Sequence, residues 1–229
     1  MIKAVLFDFD GTLLNRDASI VSFIHDQYRR LGRFLRHIPE QAYAERFIEL
    51  DQRGYVWKDK VYAQLIQEFE IKHATMEFLL EDYLAHFQFH CVPFDGLQEM
   101  LGGLKEQGIK LGIISNGKGR FQMDNIEALG IKGHFDIILI SESEGLRKPD
   151  PRIFERAMGG LAVKPVQSLF VGDHLLTDVA AAKKAGMIAV WKKDAGWDQA
   201  EADYCIADLE EVERVIERLN QDCRLKKER

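Results

Sequence analysis

The short apolar run Ile2 to Phe7, leading directly into Asp8-Phe9-Asp10-Gly11-Thr12-Leu13, constrains this chain more than any other segment. A brief apolar stretch stopped by a turn signal reads as a fully buried strand. Side chains alternate along a strand, so Asp8 and Asp10 point the same way just where it ends. Gly11 lets the backbone turn there without steric cost. Two carboxylates held this close repel, and one keeps its proton unless a cation sits between them. The pattern therefore points to a hard metal such as Mg²⁺, a carboxylate nucleophile, or both. The same residues also suit an ordinary turn, because Asp and Gly are common after strands. The rest of the chain has to decide.

From about Val92 onward, strand and helix signals alternate. The predicted strands are Lys110–Ile114, Ile137–Ile140, Ser168–Val171 and Ile188–Trp191. Between and after them fall helices near Gly96–Gln107, Arg120–Leu129, Pro151–Gly159, Thr177–Ala185 and Leu209–Leu219, followed by the charged tail Arg224–Arg229. Gly108, Gly130 and Gly186 stop three of these helices, and Pro151 sits at a favoured first-turn position. This order predicts an α/β fold, a doubly wound, Rossmann-like parallel sheet covered on both faces. Residues 15–91 contain no convincing strand but helical segments at Ser19–Leu35, Pro39–Leu50, Lys58–Phe69 and Thr75–His90. That block is too large for a crossover connection. The expected organisation is thus an α/β core of residues 1–14 and 92–229 interrupted by an all-helical domain of residues 15–91.

Composition excludes several function classes. At 229 residues the chain is long enough for one domain or two, and 46% hydrophobic with 30% charged residues is that of a soluble globular protein. A net charge of −6 argues against a nucleic-acid binder, which would carry a basic excess. No apolar run approaches the roughly 20 residues of a membrane span. The N-terminal apolar stretch is too short for a signal peptide and runs straight into Asp8. Cys91, Cys205 and Cys223 lack metal-ligand spacing. Isolated, reduced thiols fit a cytoplasmic protein.

Three further polar signals fall where α/β sheets place their chemistry, outside the carboxyl ends of strands. Ser115-Asn116-Gly117 follows one strand, Gly172-Asp173 with Asp178 follows another, and Lys148-Pro149-Asp150-Pro151 opens a helix beyond a third. Singly these suit a turn, a helix start and a solvated lysine. With the Asp8 segment, four such signals share one rim.

On those residues the chain resembles the haloacid dehalogenase superfamily. Asp8-Phe9-Asp10-Gly11-Thr12 resembles its first motif, Ser115 its second, Lys148 its third, and Gly172-Asp173 with Asp178 its fourth. The run Gly172 to Met187 resembles the phosphatase branch, and an insertion after the first motif marks members with a helical cap. The resemblance implies a phosphatase acting on a small phosphorylated metabolite through an aspartyl-phosphate. Asp8 is then the nucleophile, and Asp10 protonates the leaving alkoxide and later takes the proton of the hydrolytic water. It implies Mg²⁺ held by the Asp8 carboxylate, the Asp10 carbonyl and Asp173, with Asp178 orienting ligands or holding Lys148. Lys148, Ser115 and Asn116 are the expected phosphate-binding residues, Asn116 towards the leaving group. Asp10 separates this chain from the dehalogenases, which replace that second aspartate. Alternatives are a phosphomutase of the β-phosphoglucomutase type and a non-catalytic phosphate- or partner-binding relative. The expected state is a monomer or a dimer, with neither nucleic acid nor membrane as partner.

Within the insertion, Asp51 to Lys58 interrupts two helices. By resemblance to related caps this loop faces the core site, where Arg53 and Lys58 would meet an acidic substrate and Tyr55 or Trp57 would stack on a ring. A helix–helix turn with aromatic packing explains the same residues.

Overall fold

The computed structural model describes residues 1–194, 196–197 and 201–225. The last residues of the predicted charged tail, 226–229, and the side chains of Cys223 and Arg224 lie outside the described part. The chain forms two compact units, Met1–Asn15 with Pro93–Arg229, and Arg16–Val92.

The first unit is built on six parallel strands: β1 Ala4–Phe7, β2 Lys110–Ser115, β3 Ile137–Ile140, β4 Ser168–Gly172, β5 Ile188–Lys192 and β6 Tyr204–Ile206. Their order across the sheet is β3-β2-β1-β4-β5-β6, the doubly wound arrangement expected from the alternating signals. Every residue of β1 and β4 is buried, which is why these strands read as unbroken apolar runs rather than alternating ones. β1 pairs with β2 through Phe7 opposite Ile113, and with β4 through Phe7 opposite Val171. The order reverses at β1, so the carboxyl ends of β1 and β4 flank the crevice where such sheets bind ligands.

One face of the sheet packs its Leu6, Ile114 and Phe170 against helix Pro151–Leu161, through Ile153, Phe154, Ala157 and Met158. Asp150 caps that helix, its side chain accepting from Arg152 N, and Pro151 starts it. Two elements depart from expectation. The edge strand β6 has three residues of mixed polarity and gives no apolar run. The predicted helix at Thr177 opens as a π-helix, Leu175–Ala180, and only then continues as α-helix Ala181–Lys184. Its wider turn closes with Val179 N donating to His174 O (3.2 Å) and carries Asp178.

Leu14 and Pro93 form an antiparallel bridge, and Phe94 N donates to Leu13 O (3.1 Å), so the chain leaves and re-enters the α/β unit at one place. Between these points lie helices Arg16–Arg30, Gly32–Leu35, Glu40–Asp51, Lys58–Glu68 and Met76–His86. Their shared interior is aromatic: Phe23 meets Tyr83 edge-on at 5.2 Å, and Phe47 meets Tyr62 at 5.5 Å. Gln27 is fully buried among these rings and fully satisfied. Its amide donates to Leu79 O and Asp82 Oδ2, and its oxygen accepts from the hydroxyls of Tyr43 and Tyr62. Among the described residues no helix is long and apolar enough to cross a membrane.

Candidate active site

The residues that follow β1 do not extend the strand. The amides of Thr12, Leu13 and Leu14 all turn back onto Phe9 O, and Gly11 holds φ at +82°. A Cβ at Gly11 would stand 2.4 Å from Asp173 Oδ2, so only glycine lets the β1 turn and the β4 terminus approach this closely. Thr12 Oγ1 donates across the same gap to Asp173 Oδ1 (3.4 Å). Asp173 is further fixed through its carbonyl, which accepts from Trp191 Nε1 (2.9 Å).

Two clusters result. In the first, the buried Lys148 ammonium donates to Asp8 Oδ1 (2.5 Å) and to Asp178 Oδ1 (2.7 Å). Asp178 Oδ2 also accepts from His174 N (3.1 Å), so both its oxygens are engaged. Burial opposes the charge of Lys148, but Asp178 and Asp8 overcome this and hold its pKa above that of an ordinary lysine. Asp8 is driven the other way. Burial raises its pKa well above the usual carboxylate value, the negative charges of Asp178 and Asp173 add to the rise, and Lys148 offsets only part. Asp173 is pushed up to about 7, by burial first and then by repulsion from Asp178.

Oxygens of Asp8, Asp173 and Asp178 lie within 4.8 Å of one another. Three carboxylates against one ammonium leave two negative charges, the charge of one divalent cation. A compact set of hard oxygen donors, in which burial first and neighbouring negative charge second raise the proton affinity of Asp8 and Asp173, fits Mg²⁺.

In the second cluster, Gln122 of helix Gly119–Ala128 uses its amide nitrogen on two partners. It donates to Asp10 Oδ2 and to Ser115 Oγ (2.8 Å). Gln122 was not among the residues expected from sequence. The available signal was a polar residue on the helix's apolar stripe, since Gln122 and Asn125 share the buried face with Ile126. Asn116 ties the clusters together. Its Nδ2 donates to Lys148 O (2.9 Å) and its Oδ1 accepts from Lys148 N (2.9 Å). Its amide holds the lysine loop, a positioning task distinct from the leaving-group contact expected of it.

A second lysine borders the site. Lys192, at the end of β5, lies 3.3 Å from the centroid of the Phe94 ring and 3.4 Å from Gly11 O. Burial lowers its pKa, against the opposing pull of Asp173, Asp194 and Asp208.

Arg53 and Lys58 belong to the helical unit. Lys58, expected to meet substrate, is buried there, its ammonium bonded to the equally buried Asp51, which Arg16 also pairs at 2.8 Å. A buried carboxylate needs a cation, and Lys58 supplies it. Arg53 is exposed, 3.4 Å from Asp17, on backbone with φ of 57°.

Comparison with known proteins fits this geometry. Residues 5–192 match the haloacid dehalogenase-like hydrolase family. The chain is 35% identical over 235 residues to a glyceraldehyde 3-phosphate phosphatase of Pyrococcus furiosus, covering 96% of this chain and 95% of that one. Among solved structures, a HAD phosphatase from Thermococcus onnurineus is 30% identical with a TM-score of 0.67, covering 94% of this chain and 98% of that one. A HAD-superfamily hydrolase from Geobacter sulfurreducens shares the fold at 20% identity, TM-score 0.69, over 93% and 96% of the two chains. With four separate strand ends contributing polar groups to one rim and a match spanning most of the sequence, the chain belongs to the haloacid dehalogenase-like hydrolase family.

Proposed function

We propose that this protein is a Mg²⁺-dependent phosphatase that hydrolyses a small phosphorylated metabolite through an aspartyl-phosphate on Asp8. The observation that carries the reading is the buried Asp8 carboxylate gripped through one oxygen by Lys148, with Asp10 two residues on and Asp173 across the crevice. Phosphate monoester hydrolysis is among the slowest uncatalysed reactions, so several groups must act together.

Asp8 attacks phosphorus in line, forming a carboxyl–phosphate bond as the bond to the leaving oxygen breaks. Asp10 gives that oxygen its proton, then removes one from the water that attacks the acyl phosphate, a role worth about 10²–10⁴-fold. Lys148 fixes the orientation of Asp8 and offsets part of the cost of ionising it where it is buried. Lys148 and the Ser115 hydroxyl hold the phosphoryl oxygens as charge redistributes. Asp8, the Asp10 carbonyl and Asp173 would hold Mg²⁺, which supplies positive charge to the phosphoryl oxygens when bound. Asp178, engaged by Lys148 and His174 N, keeps the ammonium in place. The helical unit acts as a cap that selects the substrate, with exposed Arg53 as a candidate for meeting an acidic one.

The similarity to glyceraldehyde 3-phosphate phosphatases over nearly the whole chain makes that triose phosphate the first substrate to test. The test is phosphate release from a panel of phosphorylated metabolites, with Mg²⁺ and with EDTA. Metal-dependent turnover of a triose phosphate or a close relative is expected. Full activity in excess chelator would contradict the metal-dependent scheme.

A further inference from the structure

We infer that Gln122 is a positioning residue that presents Asp10 to the leaving group, a role that rests on the phosphatase reading above. Gln122 is 2% exposed, and its amide nitrogen touches Asp10 Oδ2 and Ser115 Oγ together. In this orientation the NH₂ group faces both oxygens at once, and it suits the ionised carboxylate that Asp10 becomes after giving up its proton, which only accepts. Both N–H bonds of the NH₂ group are thus committed, one to each partner.

Each bond has a consequence. A carboxyl oxygen held by a buried donor fixes the orientation of the whole carboxyl group. With Oδ2 held by Gln122, one rotamer of the Asp10 carboxyl group is selected. Ser115 Oγ, accepting from Gln122, has its own O–H directed elsewhere, towards the phosphoryl group. The first effect concerns the leaving group and the second the phosphate. They therefore separate kinetically.

Two further observations argue for function over packing. The other end of the amide, Oε1, is buried with no hydrogen-bond partner among the described residues. An apolar side chain of the same length would suit this helix face better, so the amide is retained against the demands of the core. And Gly117 leaves the space the side chain needs: a Cβ there would stand 2.7 Å from Gln122 Cγ and 2.9 Å from Nε2.

The experiment uses Gln122→Met, which keeps length and removes both donors, and Gly117→Ala, which displaces Gln122 with its amide intact. Each is assayed on glyceraldehyde 3-phosphate, whose alkoxide needs a proton, and on p-nitrophenyl phosphate, whose leaving group hardly does. Loss of kcat on the alkyl ester of about 10- to 100-fold is expected, the scale of a misplaced catalytic group. Loss on the aryl ester should be several times smaller. In an Asp10→Asn background, Gln122→Met should add almost nothing on the alkyl ester, because its effect passes through Asp10. The melting temperature of Gln122→Met should equal or exceed that of the parent, which a merely structural role does not allow. Equal losses on both esters, or additive losses in the double variant, would overturn the assignment and leave Gln122 as support for Ser115. Asp8→Asn runs in parallel. Turnover surviving in that variant would overturn the phosphatase mechanism itself, whatever Gln122 does. Should Gln122→Met not fold, Gly117→Ala alone decides through the same ratio of losses.

Discussion

Asp8 and Asp173 are held in a state that a bare protein disfavours, and their protonation reports what fills the space between them. Asp173 has a folded-state pKa of about 7 against 3.8 for the ordinary side chain. A raised carboxylate favours folding below its unfolded pKa, and that contribution is lost as pH rises through the folded value. The metal-free protein therefore loses this contribution between about pH 4 and 7, while bound Mg²⁺ restores it by replacing the protons. The rise in Tm on adding Mg²⁺ should be small at pH 5 and larger at pH 8, measured by calorimetry with and without EDTA at each pH. A rise that is flat or shrinks with pH would mean that these carboxylates do not bind the ion. Lys58 makes a different residue-level prediction. Lys58→Met leaves the buried Asp51 with Arg16 alone and should destabilise folding by about 3 kcal/mol in urea titrations, with KM unchanged. A KM change without loss of stability would return Lys58 to the substrate. Lys148 and Lys58 are both buried but differ in how far the sequence reveals them: Lys148 follows a strand and opens a helix, where topology marks it. Lys58 looks like a surface lysine because nothing in its neighbourhood announces that Asp51 is buried.

At the scale of elements, the turn after β1 is the tightest joint in the site. Gly11→Ala places a methyl group against the Asp173 carboxylate on backbone that side chains rarely adopt. A strain of about 1–3 kcal/mol is expected. Because the clash falls on a metal-holding group, the variant should also need more Mg²⁺ for half-maximal activity. Unchanged Mg²⁺ dependence would show that the Gly11–Asp173 approach does not shape the metal site. The strands were legible for a physical reason. A strand covered on both faces must be apolar throughout, so Val5-Leu6-Phe7 and Leu169-Phe170-Val171 stand out from the helices around them. Less of the rest was legible. β6 is a short edge strand with one buried residue, and the π-turn around Asp178 differs from α-helix by one hydrogen-bond register. Gln122 was hidden for a related reason: periodicity says which face of a helix is buried, not which polar side chain on that face meets a carboxylate from another strand.

At the scale of the molecule, the doubly wound order brings sequence segments more than a hundred residues apart to one crevice. Lys148 reaches Asp8, and Thr12 reaches Asp173, only because β1 lies between β2 and β4. The rim was legible because strand ends are where such sheets gather polar residues. The partner of each side chain was not, since partners follow from register and rotamer. The central claim is that Asp8 carries the phosphoryl group, and rapid-quench trapping with a radiolabelled phosphate ester tests it most directly. Wild-type protein stopped in acid during turnover should retain label on the polypeptide, released by mild base as expected of an acyl phosphate, while Asp8→Asn retains none and releases no phosphate. Label persisting in Asp8→Asn, or turnover in that variant, would contradict the account.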